Sequence, residues 1–254
     1  MTITRYRGRR AAAIENDNLR VTVLGEGGHI AEILDKATGI NPLWTPPWPT
    51  IEPSDFGPGD AGTYGSGSDA RLLAGIMGHN LCLDIFGPPS DEEAQAGLPA
   101  HGEGSVASYD LTARGDSLAM QARFPIAGLE FERRIDLRVE SVVIRETLKN
   151  VTNSDRVIGW TQHVTLGPPF LERGVTQFRS SATQSKVFES TFGSDDYLVP
   201  SSEFEWPMAP RLDGAMSDLR MFTDAERSSA YTAHLMDSRR PSAYFVAFLS
   251  LIHI

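Results

Sequence analysis

Cysteine is nearly missing: the 254 residues hold one, Cys82. That excludes an intrachain disulfide and a zinc cage built from several cysteines. Positive charge is also short. Lys and Arg number 23 against 33 Asp and Glu, a formal net charge of −10 at pH 7. A chain this acidic repels polyanions, which argues against nucleic acid or an anionic membrane surface as the main partner. No apolar run approaches the ~20 residues of a membrane span. The basic start, Met1 to Arg10, passes at once into Ala11-Ala12-Ala13-Ile14-Glu15-Asn16-Asp17, which is no signal-peptide core. The expected location is the cytoplasm. Helical periodicity is scarce too. Asp91 to Ala96 and Thr223 to Arg227 each read as a turn or two, too short to organise a fold.

What is there is alternation. Apolar residues make up 41% and charged residues 22%, enough for an ordinary globular core. Leu19, Val21 and Val23 share one face of a period-two run. Leu118, Met120, Ala122 and Phe124 share another. Leu129, Phe131, Ile135 and Leu137 share a third, with Arg133 as a charged intruder. Ser141 to Leu148 alternates as well. Such runs, separated by Gly/Asp/Asn turns, predict antiparallel strands. Thr45 to Asp69 holds five prolines and five glycines, yet Trp48, Ile51, Phe56 and Tyr64 make it an ordered loop rather than a free linker. Ser242 to Phe248 reads as a buried strand. The six residues after it, 249–254, read as a foreign tail on a truncated gene, so the natural protein is expected to be longer. The expectation is one β-sandwich domain over 1–254, missing its last strands.

Histidine is the chemistry-bearing residue to follow, since it alone titrates near neutrality unaided. His253 falls in the suspect tail. His234 and His29 read as structural. His79, with Asp84, His101 and Glu103, offers a His/carboxylate metal set of no recognised spacing. His101 sits in a shaped loop, Pro99-Ala100-His101-Gly102-Glu103-Gly104. His163 sits in a strand beside Trp160, Thr161 and Gln162, side-chain types that stack on sugars and bond hydroxyls. No Gly-rich phosphate loop is present and no Gly-x-Ser-x-Gly elbow.

The order of these pieces resembles the aldose 1-epimerase, or galactose mutarotase-like, superfamily over about residues 12–170. It runs from an alternating strand through Gly27-Gly28 into a second strand, Asp35-Lys36-Ala37-Thr38-Gly39, the Pro99-Ala100-His101-Gly102 loop, a strand toward Asn150, and then His163. The resemblance implies a large antiparallel β-sandwich (supersandwich) with a sugar cleft and no cofactor or metal. It implies anomer interconversion of a free aldose by acid/base ring opening. His163 matches the family's general acid, and His101 the histidine that holds the ring oxygen. Arg71 matches its substrate-binding arginine or is a solvated loop charge. With it, His79, Trp160, Gln162 and Glu103 complete the expected substrate-binding set. The family's general base, a late Glu, has no counterpart here; Glu203 and Glu205 come too early. Glu103-Gly104-Ser105 also replaces the aromatic and arginine of the phosphosugar branch. The partner expected is a small sugar, with no oligomeric state legible. The alternative is a non-catalytic carbohydrate-binding protein on the same fold.

Overall fold

The period-two runs are the strands. The computed structural model describes residues 3–189, 196–223 and 230–249. Its packing divides the chain into two compact units, Met1–Pro169 and Phe170–Ile254.

The first unit contains β1 (Ile3–Tyr6), β2 (Arg9–Glu15), β3 (Leu19–Leu24), β4 (Ile30–Asp35), β5 (His79–Asp84), β6 (Asp110–Arg114), β7 (Ser117–Phe124), β8 (Leu129–Arg138), β9 (Ser141–Asn150) and β10 (Gly159–Val164). Strands β1-β2-β3-β4-β5-β10 form one antiparallel sheet, and β6-β7-β8-β9 a second. Val21, Val23 and Leu83 of the first sheet share one buried cluster with Met120, Phe124 and Phe131 of the second. The unit is therefore a β-sandwich whose inner faces are the apolar halves of the alternating runs. Arg133, fully buried on that face, lies in register with Glu146 and pairs with it, Nε to Oε1 at 2.6 Å. The charged intruder on one strand is answered by a carboxylate directly opposite on the next.

The Pro/Gly-rich segment is ordered, as its aromatics require. It contains the short helix α1 (Ala61–Tyr64) and runs into α2 (Ala70–Gly75). Trp48 Nε1 donates to Leu73 O at 3.1 Å, and Tyr64 OH to Pro49 O at 2.8 Å. Helix α3 (Asp91–Gln95) forms where the sequence suggests. Ser90 Oγ accepts from Glu93 N, and Glu93 Oε2 accepts from Ser90 N, closing a capping box.

The second unit holds β11 (Thr176–Ser180), β12 (Ala182–Val187), β13 (Glu203–Phe204), β14 (Met208–Pro210), β15 (Met216–Asp218), β16 (Thr232–Met236) and β17 (Phe245–Leu249). They pair as β11-β17, β13-β12-β16 and β14-β15, and Val187, Phe204 and Ala209 from β12, β13 and β14 form a small core with Leu198. Its His234 is structural, bonded to Ser185 Oγ at 2.8 Å and Thr232 Oγ1 at 2.9 Å. The expected buried strand at 242–248 is corrected in two ways. It begins at Phe245, and Phe245 and Val246 are exposed, because a two-stranded ribbon covers little of either face. Residues 250–254 of the suspected tail, and most of the helix expected at Thr223 to Arg227, lie outside the described residues.

No helix among the described residues is long and apolar enough to cross a membrane.

Candidate functional site

The register of β5 against β10 sets the site. His163 lies opposite Asn80 and Thr161 opposite Cys82, so these four share one face of the six-stranded sheet. Leu81 and Leu83, of opposite parity, enter the sandwich core. The Pro99–Gly102 turn then carries His101 onto the same face. His101 N donates to Gly87 O at 2.9 Å, and Leu83 N donates to His101 O at 3.1 Å. His101 has a positive φ of 63°, and Gly102 follows at 75°. A Cβ at Gly102 would collide with the Leu83 carbonyl, so only glycine brings the loop this close to β5.

The result is a stacked pair of imidazoles. The His101 and His163 rings are 9° from parallel, with centroids 5.4 Å apart. Phe86, largely exposed, presents its ring edge-on to both, at 4.9 and 5.6 Å. Cys82 Sγ lies 2.9 Å from His101 Nδ1, and Asn80 Nδ2 donates to Cys82 Sγ at 3.5 Å. Burial pulls the His101 pKa below its ordinary value, helped by His163 nearby and opposed by Asp69. Burial alone does the same to His163. Both rings are therefore neutral at pH 7. Burial pushes the Cys82 thiol up to about 12, so it stays protonated and can donate to His101 Nδ1.

The remaining expected residues go elsewhere. His79 Nε2 bonds Gln162 Oε1 at 2.6 Å, and Gln162 Nε2 donates to Glu146 Oε2. Trp160 Nε1 donates to the same oxygen at 3.1 Å. Trp160 and Gln162 thus belong to a polar network with Arg133 and Glu146, on the opposite face of β10 from His163. The Glu103 carboxylate is buried and accepts from Ala127 N at 2.8 Å. Arg71 is exposed, and its Nε donates to Pro53 O at 3.0 Å. The metal set of His79, Asp84, His101 and Glu103 is not assembled: Asp84 instead binds Arg156 and Gly159 N. Among the described residues, the histidine, cysteine and carboxylate side chains that do converge are Cys82, His101 and His163. The sequence alone assigns no site role to Cys82, Asn80, Phe86 or Asp69. The parity of β5 was the available signal, since it puts Asn80 and Cys82 on one face.

A cleft of about 810 Å³ on the second sheet is lined by Arg123, Glu130, Glu132 and Lys149 among others. Arg123 and Lys149 both pair with Glu130. It contains none of the histidines.

No protein-family model matches the chain, and no curated protein matches it by sequence. Solved structures match it by shape. A galactose mutarotase-like protein from Lactobacillus casei superposes over 83% of this chain with a TM-score of 0.53 and 10% identity. A galactose mutarotase related enzyme from Lactobacillus acidophilus does so over 82%, with a TM-score of 0.50 and 12% identity. This chain spans 66% and 65% of those two chains. On this likeness and the antiparallel sandwich described above, the chain has the galactose mutarotase-like fold.

Proposed function

We propose that the chain interconverts the anomers of a free aldose at the His101–His163 face, without a cofactor. The observation carrying this reading is the stacked pair of neutral histidines, each from one of the two motifs that matched the family, on a mutarotase-like fold. Ring opening needs a proton delivered to the ring oxygen and one removed from the anomeric hydroxyl; each positioned acid or base is worth roughly 10²–10⁴-fold. In this reading His163 delivers the proton from its imidazolium form, a minor population at pH 7 because burial lowers its pKa, and His101 holds the ring oxygen. A thiol S–H donated to His101 Nδ1 leaves the ring proton on Nε2, which makes that nitrogen a hydrogen-bond donor to the sugar. Phe86 supplies an apolar wall for the sugar's C–H face. Arg71 is proposed as a rim contact. His79, Gln162 and Trp160 are proposed to act through the β10 network, and Glu103 through the loop it anchors at Ala127. The expected cytoplasmic location goes with this reading.

A second reading, a non-catalytic sugar-binding protein, is favoured by one feature. The carboxylates of Asp84, Glu103 and Glu146 are each committed to a structural partner, which leaves the base unassigned. Anomer exchange followed by NMR over a panel of aldoses decides between the two. Exchange above the uncatalysed rate supports the first reading. Sugar binding without it selects the second.

A further inference from the structure

We infer that Cys82, His101 and His163 form a coordination site for a borderline-soft divalent cation, Zn²⁺ above all, that shuts the histidine pair off from sugar. The site comes from three separate pieces of chain: β5, the Pro99–Gly102 turn and β10. One donor atom of each residue lies within 4.8 Å of the other two, and Sγ already sits 2.9 Å from His101 Nδ1. A zinc bound at about 2.3 Å to sulfur and about 2.0–2.1 Å to nitrogen spaces its ligands by about 3.3–3.6 Å. Side-chain rotations of about an ångström reach that from both sides. Thiolate plus two imidazoles is a donor set that selects Zn²⁺ or Co²⁺ over Mg²⁺ or Ca²⁺.

Two further features fit a cation. Asn80 is fully buried against the sulfur; its Nδ2 donates to Sγ, while its Oδ1 has no partner among the described residues. An N–H aimed at a ligating sulfur steadies the thiolate form. His163 Nδ1 is likewise buried and unpartnered. Binding forms one metal–sulfur and two metal–nitrogen bonds, releases the thiol proton to solvent, and leaves the fourth position to water. The competition with sugar rests on the mutarotase reading; the cation site does not.

The test uses chelator-treated, untagged protein titrated with Co²⁺ and then Zn²⁺. One equivalent of Co²⁺ should produce a thiolate-to-cobalt charge-transfer band, which Zn²⁺ abolishes by displacement. Cys82→Ser should remove the band and weaken Zn²⁺ by 100-fold or more. His101→Ala, in a half-buried loop and so the milder change, should weaken it at least 10-fold. His234→Gln, in the second unit, should leave it unchanged. Absence of the band, or wild-type Zn²⁺ affinity in Cys82→Ser and His101→Ala, overturns the site. Zn²⁺ binding through Cys82 in a protein that catalyses no anomer exchange upholds the site and sinks the mutarotase reading. Anomer exchange that stays insensitive to micromolar Zn²⁺ in protein that shows the cobalt band upholds the mutarotase reading and overturns the claim that the cation shuts out sugar.

Discussion

The imidazole rings of His101 and His163 lie 9° from parallel and 5.4 Å apart, on one face of a sheet, with Phe86 edge-on to both. A charge on one ring disfavours a charge on the other, and burial disfavours both. Both rings are therefore neutral at rest at pH 7. On the mutarotase reading, His163→Ala should lower catalysed anomer exchange by roughly 10²–10⁴-fold. Its ring is partly buried and its Nδ1 has no partner among the described residues, so the melting temperature should hold within a few degrees. NMR exchange rates together with a thermal melt check this, and a mutant that keeps the wild-type rate removes His163 from the chemistry.

The position of His101 depends on the glycine after it. Gly102 has φ 75°, and a side chain there meets the Leu83 carbonyl. Gly102→Ala should destabilise the first unit by about 1–3 kcal/mol. It should also loosen His101, raising the KM for sugar more than it lowers stability. Urea midpoints compared with sugar titrations separate the two effects. A mutant with normal stability and affinity would mean the loop does not need this close approach.

Much of the scaffold was legible, and the reason is local. Leu118 to Phe124 and Leu129 to Leu137 show strict alternation, which a one-sided sheet demands, and those residues are buried as the parity requires. The glycines and proline around His101 made its shaped loop legible. The environment of the pair was not. Cys82 reads as one more apolar strand residue until β10 is placed beside β5, and that pairing joins positions such as His79 and Gln162, 83 residues apart. Trp160 and Gln162 looked like sugar contacts because they flank His163. Alternation puts them on the other face, where Glu146 holds them. Proximity in sequence misleads within a strand, because neighbours point opposite ways.

The Arg133–Glu146 pair should be costly to break and cheap to replace. Both side chains are buried, and Glu146 also holds Gln162 and Trp160. Arg133→Met leaves an uncompensated buried carboxylate and should cost about 3–5 kcal/mol. The double change Arg133→Met, Glu146→Met removes both charges and should recover most of that stability. Sugar affinity measured on the double variant reports whether the network also supports the histidine face. Additive losses in the cycle would show that the two charges do not interact.

Acid should unfold this protein earlier than its carboxylates alone predict. His29 is fully buried against Ser105 O, and burial, with Arg9 nearby, pulls its pKa down to about 3. His79 is pulled down to about 4, by burial first and then by Arg133; the Gln162 bond opposes the shift and His163 adds to it. In the unfolded chain both titrate near 6.5. Above that value neither state binds the proton and stability does not change on their account. Between 6.5 and the lowered values the unfolded chain takes up protons that the fold excludes, so stability falls as pH drops. The slope approaches roughly 1.4 kcal/mol per pH unit for each histidine. Urea midpoints from pH 7.5 to 4.5 should therefore be flat at first and then decline, with these two histidines contributing a proton uptake on unfolding that approaches two. His29→Asn removes one of these protons and should make the slope shallower over that range, even if its starting stability is lower. A wild-type curve that stays flat down to pH 4.5 would mean that both rings accept protons inside the fold, against the burial seen here.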